Sequence, residues 1–277
     1  MFISNAPGMD PTGTRSNNSD DYQTVARPIA ILARDVAHHH ITRWHSHKRG
    51  QLVFATSGVM IVRTNQGSWV IPSQRAVWVP PAVEHETETV GFVTMRTVYV
   101  EPRLARQLSS QCRAVHVSPL LRELIQRGAT LPLLYAQGRS ETRIMRMILD
   151  EIRESPMLPL HLPIPSHQRL ANICNSILRN PGCRDTLEQL AASEGMSKRT
   201  AERLFIREVA MTFSHWKQQA RLLAGLTRLA AGKSVKQAAF SAGYTSQSAF
   251  TITFKRTFGT TPRRYFAAPL DIRSPVV

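Results

Sequence analysis

The chain has 277 residues, a formal net charge of +16 and 42% hydrophobic residues, which suits a globular protein with room for two domains. No apolar run reaches the length of a membrane-spanning helix. The three cysteines have neither zinc-ligand spacing nor the even number of a disulfide framework, which excludes a scaffold held by either.

Residues 1–26 open the chain with a polar segment that lacks the basic start and apolar core of a secretory signal. We expect a disordered tail there, and a cytoplasmic protein with reduced thiols.

Residues 27–154 are predicted to form an all-β domain followed by helices. From about Ile29 to Val100 the hydrophobic period is two, with turn signals between strands and a hairpin turning at Asn65–Gly67. Short strands with frequent turns favour a small barrel or sandwich. Two amphipathic helices follow, with apolar faces at Leu120, Leu121, Leu124 and Ile125, and at Ile144, Met147, Ile148 and Ile152.

Histidines give this first domain its candidate site. His45 and His47 are two residues apart, so on a strand they share a face. Gln51 comes next, Gly58 follows after six more residues, and the segment PPAVEH ends at His85. This spacing resembles the paired motifs of the cupin barrels, in which three histidines and a glutamate bind one metal.

Gln51 stands where the cupin motif has its glutamate, and a neutral amide is a weaker metal ligand than a carboxylate. We therefore expect an effector pocket lined by His45, His47, Gln51 and His85, with an organic ligand favoured over a cofactor. A divalent metal site on His45, His47 and His85 is the second possibility, and plain core or surface histidines are the third.

The segment 155–165 is proline-rich and carries little charge, which predicts a stiff linker. Beyond it, residues 166–277 contain 17 Lys and Arg against 6 Asp and Glu. A basic module beside a nearly balanced one indicates a polyanionic partner for the basic module.

This basic module contains an internal repeat. LEQLAASEGMSKRTAERLFIRE, from Leu187, matches VKQAAFSAGYTSQSAFTITFKRTFG, from Val235. Each copy predicts an apolar helix, a glycine turn, a serine N-cap and a second amphipathic helix, which is a helix-turn-helix. A connecting helix of about 19 residues spans ~28 Å, close to one turn of DNA at ~34 Å. Two helical hairpins packed for protein contact are the alternative.

The segment AAFSAGYTSQSAFTITFKRTFGTTPRRYF resembles the AraC/XylS family of transcription regulators, over Ser166 to about Phe266. The resemblance implies a DNA-binding domain of seven helices with two such units over residues 166–268, followed by a tail over 269–277. Base-facing residues would be Arg199, Glu202 and Arg203 in the first unit, and Gln247, Ser248 and Ile252 in the second. The full set of expected DNA contacts is Lys198, Arg199, Glu202, Arg203, Ser246, Gln247, Ser248, Thr251, Ile252, Lys255, Arg256, Arg263 and Arg264.

The fold class is therefore two domains, an N-terminal all-β cupin-like barrel followed by helices and a C-terminal all-α domain. We expect a regulator, activator or repressor, that binds double-stranded operator DNA and a small-molecule effector. We expect a homodimer through the first domain and its helices between Val117 and Glu154, nucleoid association, no membrane partner, and contact with RNA polymerase if it activates. No catalytic residue is expected, and a cupin-type metalloenzyme with a DNA-binding tail is the alternative.

Overall fold

A computed structural model describes residues 16–36, 39–72, 75–156 and 161–266. The chain divides into two compact units, Met1–His161 and Leu162–Val277. The division falls inside the segment 155–165 that we expected to be a linker. None of the helices in the described ranges is long and apolar enough to cross a membrane.

The first unit begins with six strands, which are β1 Ile29–Val36, β2 Ile41–His45, β3 Gly50–Thr64, β4 Gly67–Pro72, β5 Arg75–Val79 and β6 His85–Val100. It continues with α1 Pro102–Ala105, β7 Arg113–His116, α2 Pro119–Thr130 and α3 Ser140–Glu154. A short strand, β8 His161–Pro163, begins at the last residue of this unit and neighbours β4. The expected linker thus contains a strand.

Two long strands, β3 and β6, hold the sheet together. Their ladder runs from Gly50 opposite Val100 to Thr64 opposite His85, with irregular register between Ala55 and Val59. One half of the ladder is flanked by β1 and β5, with β7 beyond β5. The other half is flanked by β2 and β4. Each long strand therefore contributes to two parts of the sheet.

The all-β domain followed by helices is confirmed, but the closed barrel is not. The main hydrogen-bonded path runs β1-β6-β3-β4-β8, and β2, β5 and β7 branch from it. Over the described residues no pairing joins the two ends of that path. The reason is that β3 and β6 change partners midway along their length, so the sheet rolls over with free edges rather than closing into a ring.

Helices α2 and α3 cover one surface of the sheet. Leu121 and Ile125 of α2 and Ile148 of α3 are fully buried in a core with Phe54 and Trp78. In α2 and α3, Leu120 and Met147 depart from the predicted apolar faces, with exposed fractions of 48% and 44%. Both side chains therefore leave apolar surface uncovered on these two helices.

The expected disordered tail over 1–26 is wrong for residues 16–26, which are packed on the first unit; residues 1–15 lie outside the described ranges. Ser19–Tyr22 forms a turn of 3-10 helix, and Tyr22 and Val25 are buried. The Arg49 guanidinium donates hydrogen bonds to the backbone carbonyls of Gln23 and Val25 in this segment, and to those of Arg27 and Pro28 directly after it. Polar composition indicated disorder, but one buried arginine provides the donors that hold the segment in place.

The described part of the second unit contains seven helices beyond β8, in agreement with the expected seven-helix domain. They are α4 Gln168–Arg179, α5 Leu187–Ser193, α6 Lys198–Val209, α7 Phe213–Ala230, α8 Val235–Ser241, α9 Gln247–Phe258 and α10 Pro262–Phe266. The expected tail over 269–277 lies outside the described residues.

Gly58 lies where β3 changes its pairing partner from β5 to β4. A substitution at Gly58 therefore tests how much the stability of the protein depends on the backbone conformation at this point. Its φ is +79°, and an added Cβ would lie 2.4 Å from the Phe92 carbonyl oxygen. Gly138 has a similar φ of +76° but no atom within 4 Å of its Cβ position. Gly58→Ala should therefore lower the free energy of unfolding by about 2–4 kcal/mol, and Gly138→Ala by about 1 kcal/mol.

Urea unfolding of the full chain, followed by tryptophan fluorescence, measures both changes. Equal losses in the two variants would contradict the assignment of a steric constraint to Gly58.

Candidate functional site

The two predicted helix-turn-helix units are present, and both begin with the same N-terminal capping. Thr186 and Ser234 each form a capping box, with Gln189 and Gln237 respectively. A serine precedes each second helix as its N-cap. The Ser197 hydroxyl oxygen accepts a hydrogen bond from the backbone N–H of Thr200, and the Ser246 hydroxyl oxygen accepts one from that of Ala249. The predicted serine caps are confirmed, and they fix the start of α6 and α9 at equivalent points of the repeat.

The inward faces of the two recognition helices, α6 and α9, are apolar as predicted. Ala201 and Phe205 in α6, and Phe250 and Phe254 in α9, have no exposed surface. Phe205 packs edge-on against Trp216 of α7, and Phe254 packs edge-on against Tyr265 of α10. These aromatic contacts anchor each recognition helix to the domain and direct its polar side outward.

The residues expected to contact DNA lie on that outward side. All thirteen are exposed except Thr251, which is half-buried; they are Lys198, Arg199, Glu202, Arg203, Ser246, Gln247, Ser248, Thr251, Ile252, Lys255, Arg256, Arg263 and Arg264. Within the described ranges, none of the cations in this set forms an ion pair with an acidic side chain. Their charges are therefore available to phosphate groups.

The two recognition helices differ in the chemistry they expose. The α6 face presents Arg199 and Arg203, whose guanidinium groups match the two acceptors of guanine. The α9 face presents Gln247 and Ile252, and Ile252 is 68% exposed. An isoleucine has no hydrogen-bonding group and can read only a thymine methyl, so the two units have different capacities for base reading.

Helix α7 connects the two units and fixes their separation. Its 18 residues span ~27 Å. Gly225 lies so close to the buried Phe250 ring that an added Cβ would be 2.6 Å from it. Arg221 of the same helix donates to the carbonyls of Pro181 and Cys183. The connector is thus packed against α9 on one side and tied to the α4–α5 loop on the other.

In the first unit, three histidines meet. His45 ends β2, His85 begins β6 directly opposite it, and His47 lies in the loop after β2. Ring centroids are 4.3 Å apart for His45 and His85, 4.7 Å for His45 and His47, and 5.4 Å for His47 and His85. One ligand nitrogen from each lies within 4.8 Å of the others, so the sequence motif brings three donors together.

Hydrogen bonds set the tautomers of two of these rings. The Nδ1 atoms of His45 and His85 lie 2.6 and 2.9 Å from the carbonyl oxygens of Arg43 and Val83. A carbonyl can only accept, so each Nδ1 carries a proton and the Nε2 is the atom that faces away from this hydrogen bond.

Burial keeps the inner two histidines neutral. Desolvation, with repulsion from neighbouring imidazoles, lowers the pKa of His47 from 6.5 to about 3. Desolvation also lowers the pKa of His85 to about 4, although the Val83 carbonyl opposes this shift. Neutral imidazole is the form that binds metals.

Several polar atoms of this region have no partner among the described residues. Both ring nitrogens of His47, Nε2 of His85 and Oε1 of Gln51 are buried without a hydrogen bond. Gln51 lies on β3 opposite Tyr99, and the Tyr99 ring packs edge-on against His47 at 5.3 Å. His47, Gln51 and His85 are therefore buried polar residues and His45 is half-buried, which argues against a group of surface histidines.

The nearest acidic side chains on β6 do not serve this cluster. Glu86 and Glu88 alternate with His85 and Thr87, which places them on the opposite face of the strand. Both carboxylates pair with Arg63. These two carboxylates are therefore not part of the cluster, which consists of the three histidines.

Three residues around the cluster were not expected from the sequence. Tyr99 contacts His47, and Tyr22 of the N-terminal segment stacks on Tyr99 at 5.9 Å. Arg49 holds that segment down, as described above. Tyr99 lies in the predicted β region, but no spacing rule marked it, because its contact with His47 depends on the bend in β6.

Known protein families match both the β-rich part and the helical part of the chain. Residues 28–192 match the family model described as an AraC-like ligand binding domain, and residues 190–268 match a helix-turn-helix domain. The chain is 32% identical over 223 residues to the HTH-type transcriptional regulator NimR of Escherichia coli, covering 80% of this chain and 81% of that protein. It is 27% identical over 112 residues to the regulator RipA of Corynebacterium glutamicum, covering 40% and 34% respectively.

Among solved structures, ToxT of Vibrio cholerae with an unsaturated fatty acid bound has a TM-score of 0.38 and 10% identity, covering 95% of this chain and 100% of that one. A likeness at this level does not extend to the ligand. The two domain matches and the similarity to NimR along most of its length show that the chain belongs to the AraC-type family of helix-turn-helix transcriptional regulators.

Proposed function

We propose that this regulator binds a specific operator as a homodimer and that a small effector, bound at the histidine cluster, controls its activity. The observation that carries the DNA half is the pair of exposed polar helix faces on one domain, with cations that have no acidic partner in the described ranges. The buried cluster with unsatisfied donors and acceptors supports the effector half. Family membership favours regulation over the alternative of a metalloenzyme with a DNA-binding tail.

DNA binding divides into two kinds of contact. Phosphate contacts from Lys255, Arg256, Arg263 and Arg264 provide affinity without sequence choice. Base contacts from Arg199 and Arg203 select guanine, whereas Gln247 selects adenine. Sequence specificity should therefore be stronger in the part of the site that α6 reads.

Effector control requires that the ligand bind one conformational state of the regulator more tightly than another. A cluster in the first unit satisfies the need for a site distinct from the DNA-binding surface. We propose that the protein acts in the cytoplasm, at the nucleoid, and that it contacts RNA polymerase where it activates.

The fragment Ser166–Val277 should bind operator DNA by itself, because both helix-turn-helix units and most of the excess positive charge lie there. Its affinity should fall steeply with salt, since several phosphate contacts release counterions. Electrophoretic mobility shifts with operator and scrambled duplexes measure this. Equal affinity for both duplexes at every salt concentration would contradict specific binding.

Arg203→Ala should remove a base contact, whereas Arg264→Ala should remove a phosphate contact. The first change should cost about 1–3 kcal/mol on the operator and relax the preference at one position. The second should weaken operator and scrambled DNA by similar factors. A binding series with single-base variants of the operator tells them apart, and parallel losses for both substitutions would show that the contacts are wrongly assigned.

The dimer should form through the first unit. Leu120 and Met147 leave apolar surface on α2 and α3 exposed, and such surface favours association. The fragment Met1–Glu154 should sediment as a dimer at micromolar concentration. Replacing both residues with Glu should give a monomer, while Leu178→Glu on α4 should leave the full chain dimeric. A monomeric wild-type fragment would contradict this interface.

A further inference from the structure

We propose that the second helix-turn-helix unit reads a methyl group in the major groove through Ile252, so that it accepts 5-methylcytosine in place of thymine. This inference rests on the proposed function, because it concerns the bases that α9 contacts. It makes a chemical modification of the DNA a condition to which operator binding responds.

The internal repeat assigns Ile252 to a base-facing position. Ile252 is the sixth residue after the N-cap of α9, and Arg203 is the sixth residue after the N-cap of α6. Two residues later each helix has a fully buried phenylalanine, Phe254 or Phe205, so the two helices present the same register to the domain. Ile252 therefore lies where the first unit has an arginine that selects guanine.

The neighbours of Ile252 on α9 are polar or basic. Ser248 lies one turn before it, Lys255 and Arg256 lie one turn after it, and all three are exposed. Residues three or four positions apart share a helix face, so these four side chains form one row. Single exposed apolar side chains are common, but Ile252 is 68% exposed in the middle of a row that otherwise suits DNA. Contact with DNA would bury its apolar surface.

An isoleucine recognises shape and not hydrogen-bonding groups. It has no donor or acceptor, so it does not distinguish the O4 acceptor of thymine from the N4 donor of cytosine. Its β-branched side chain has one strongly preferred χ1 rotamer in a helix, which gives α9 a fixed apolar surface at this point. The group that such a surface favours is a methyl at C5 of a pyrimidine, which projects into the major groove.

Two pyrimidines carry a methyl group at C5. Thymine has it as part of the base, and 5-methylcytosine has it at the same ring atom. Methylation of cytosine leaves every hydrogen-bonding group of the G·C pair in place and adds only the apolar group that Ile252 can contact. Affinity for a site with cytosine under Ile252 should therefore rise when that cytosine is methylated. The first unit should not respond in this way, because Arg199 and Arg203 select guanine through hydrogen bonds.

The test uses the full chain and a duplex that it selects from a random library. Uracil replaces one thymine at a time, which removes a methyl group and leaves the base pairing unchanged. Replacement at the position under Ile252 should lower affinity about fourfold, which corresponds to ~0.8 kcal/mol for one buried methyl group. In a duplex with cytosine at that position, 5-methylcytosine should raise affinity by a similar factor.

Substitutions at Ile252 show whether this side chain makes the contact. Ile252→Ala should reduce both methyl effects to less than about twofold, because most of the apolar surface is removed. Leu178→Ala, at an exposed apolar residue of α4 outside both helix-turn-helix units, is the matched control and should keep the wild-type methyl effects. Circular dichroism of each variant shows that it is folded.

A change of specificity provides a second arm. Ile252→Arg gives α9 the side chain that α6 has at the equivalent position, Arg203. This variant should lose the preference for a methyl group and should prefer guanine at the same position by at least about fivefold. A variant that keeps the wild-type preference at that position would show that Ile252 does not face a base, and would overturn the proposal.

The same measurements separate failure of this inference from failure of the proposed function. Wild-type affinity that is unchanged by uracil at every position would overturn the inference. So would methyl effects that persist in the Ile252→Ala variant, because another side chain would then make the contact. In both cases the selected duplex is still bound more tightly than a scrambled one, and the proposed DNA function stands. Equal affinity for the selected and scrambled duplexes would instead remove that function and the inference together.

Discussion

The bend in the long strands β3 and β6 is the constraint on which the first unit depends. His85 and Tyr99 lie 14 residues apart on β6, which would separate them by ~46 Å in a straight strand. Yet both rings lie within 5.4 Å of the His47 ring. Strand β6 must therefore bend strongly along its length. Its partner β3 bends where Gly58 has a positive φ and where the register of the ladder shifts. Without that bend Tyr99 would not reach the histidine cluster.

The sequence predicted the second unit better than the first, and the reason is the range of the interactions involved. Serine caps, glycine turns and the spacing of Phe250 and Phe254 are local signals that act within a few residues. The repeat supplied each of them twice. The bend that brings Tyr99 to His47 is a long-range feature, and so is the docking of the N-terminal segment by Arg49, which no local pattern marks.

The histidine motif lies between these two cases. Spacing indicated that His45, His47 and His85 belong together, and the three rings do meet. A strand pairing places His45 opposite His85, whereas His47 lies in the loop after β2 and not on a shared strand face as the spacing suggested. It did not indicate which atoms would be free, since that depends on the Arg43 and Val83 carbonyls. The exposure of Leu120 and Met147 was also missed, because a helical period gives the width of an apolar face but not how much of it the sheet can cover.

The difference between α6 and α9 gives the protein a direction on DNA. Both units share caps and core aromatics, yet one exposes two arginines and the other an isoleucine with 68% of its surface accessible. Because α7 joins them at a set spacing, a DNA-binding domain turned end for end would exchange the positions of the two helix faces on the DNA. The DNA site that one chain reads therefore has a direction. The orientation of that site, and not only its presence, decides which surface of the bound regulator faces the start of transcription.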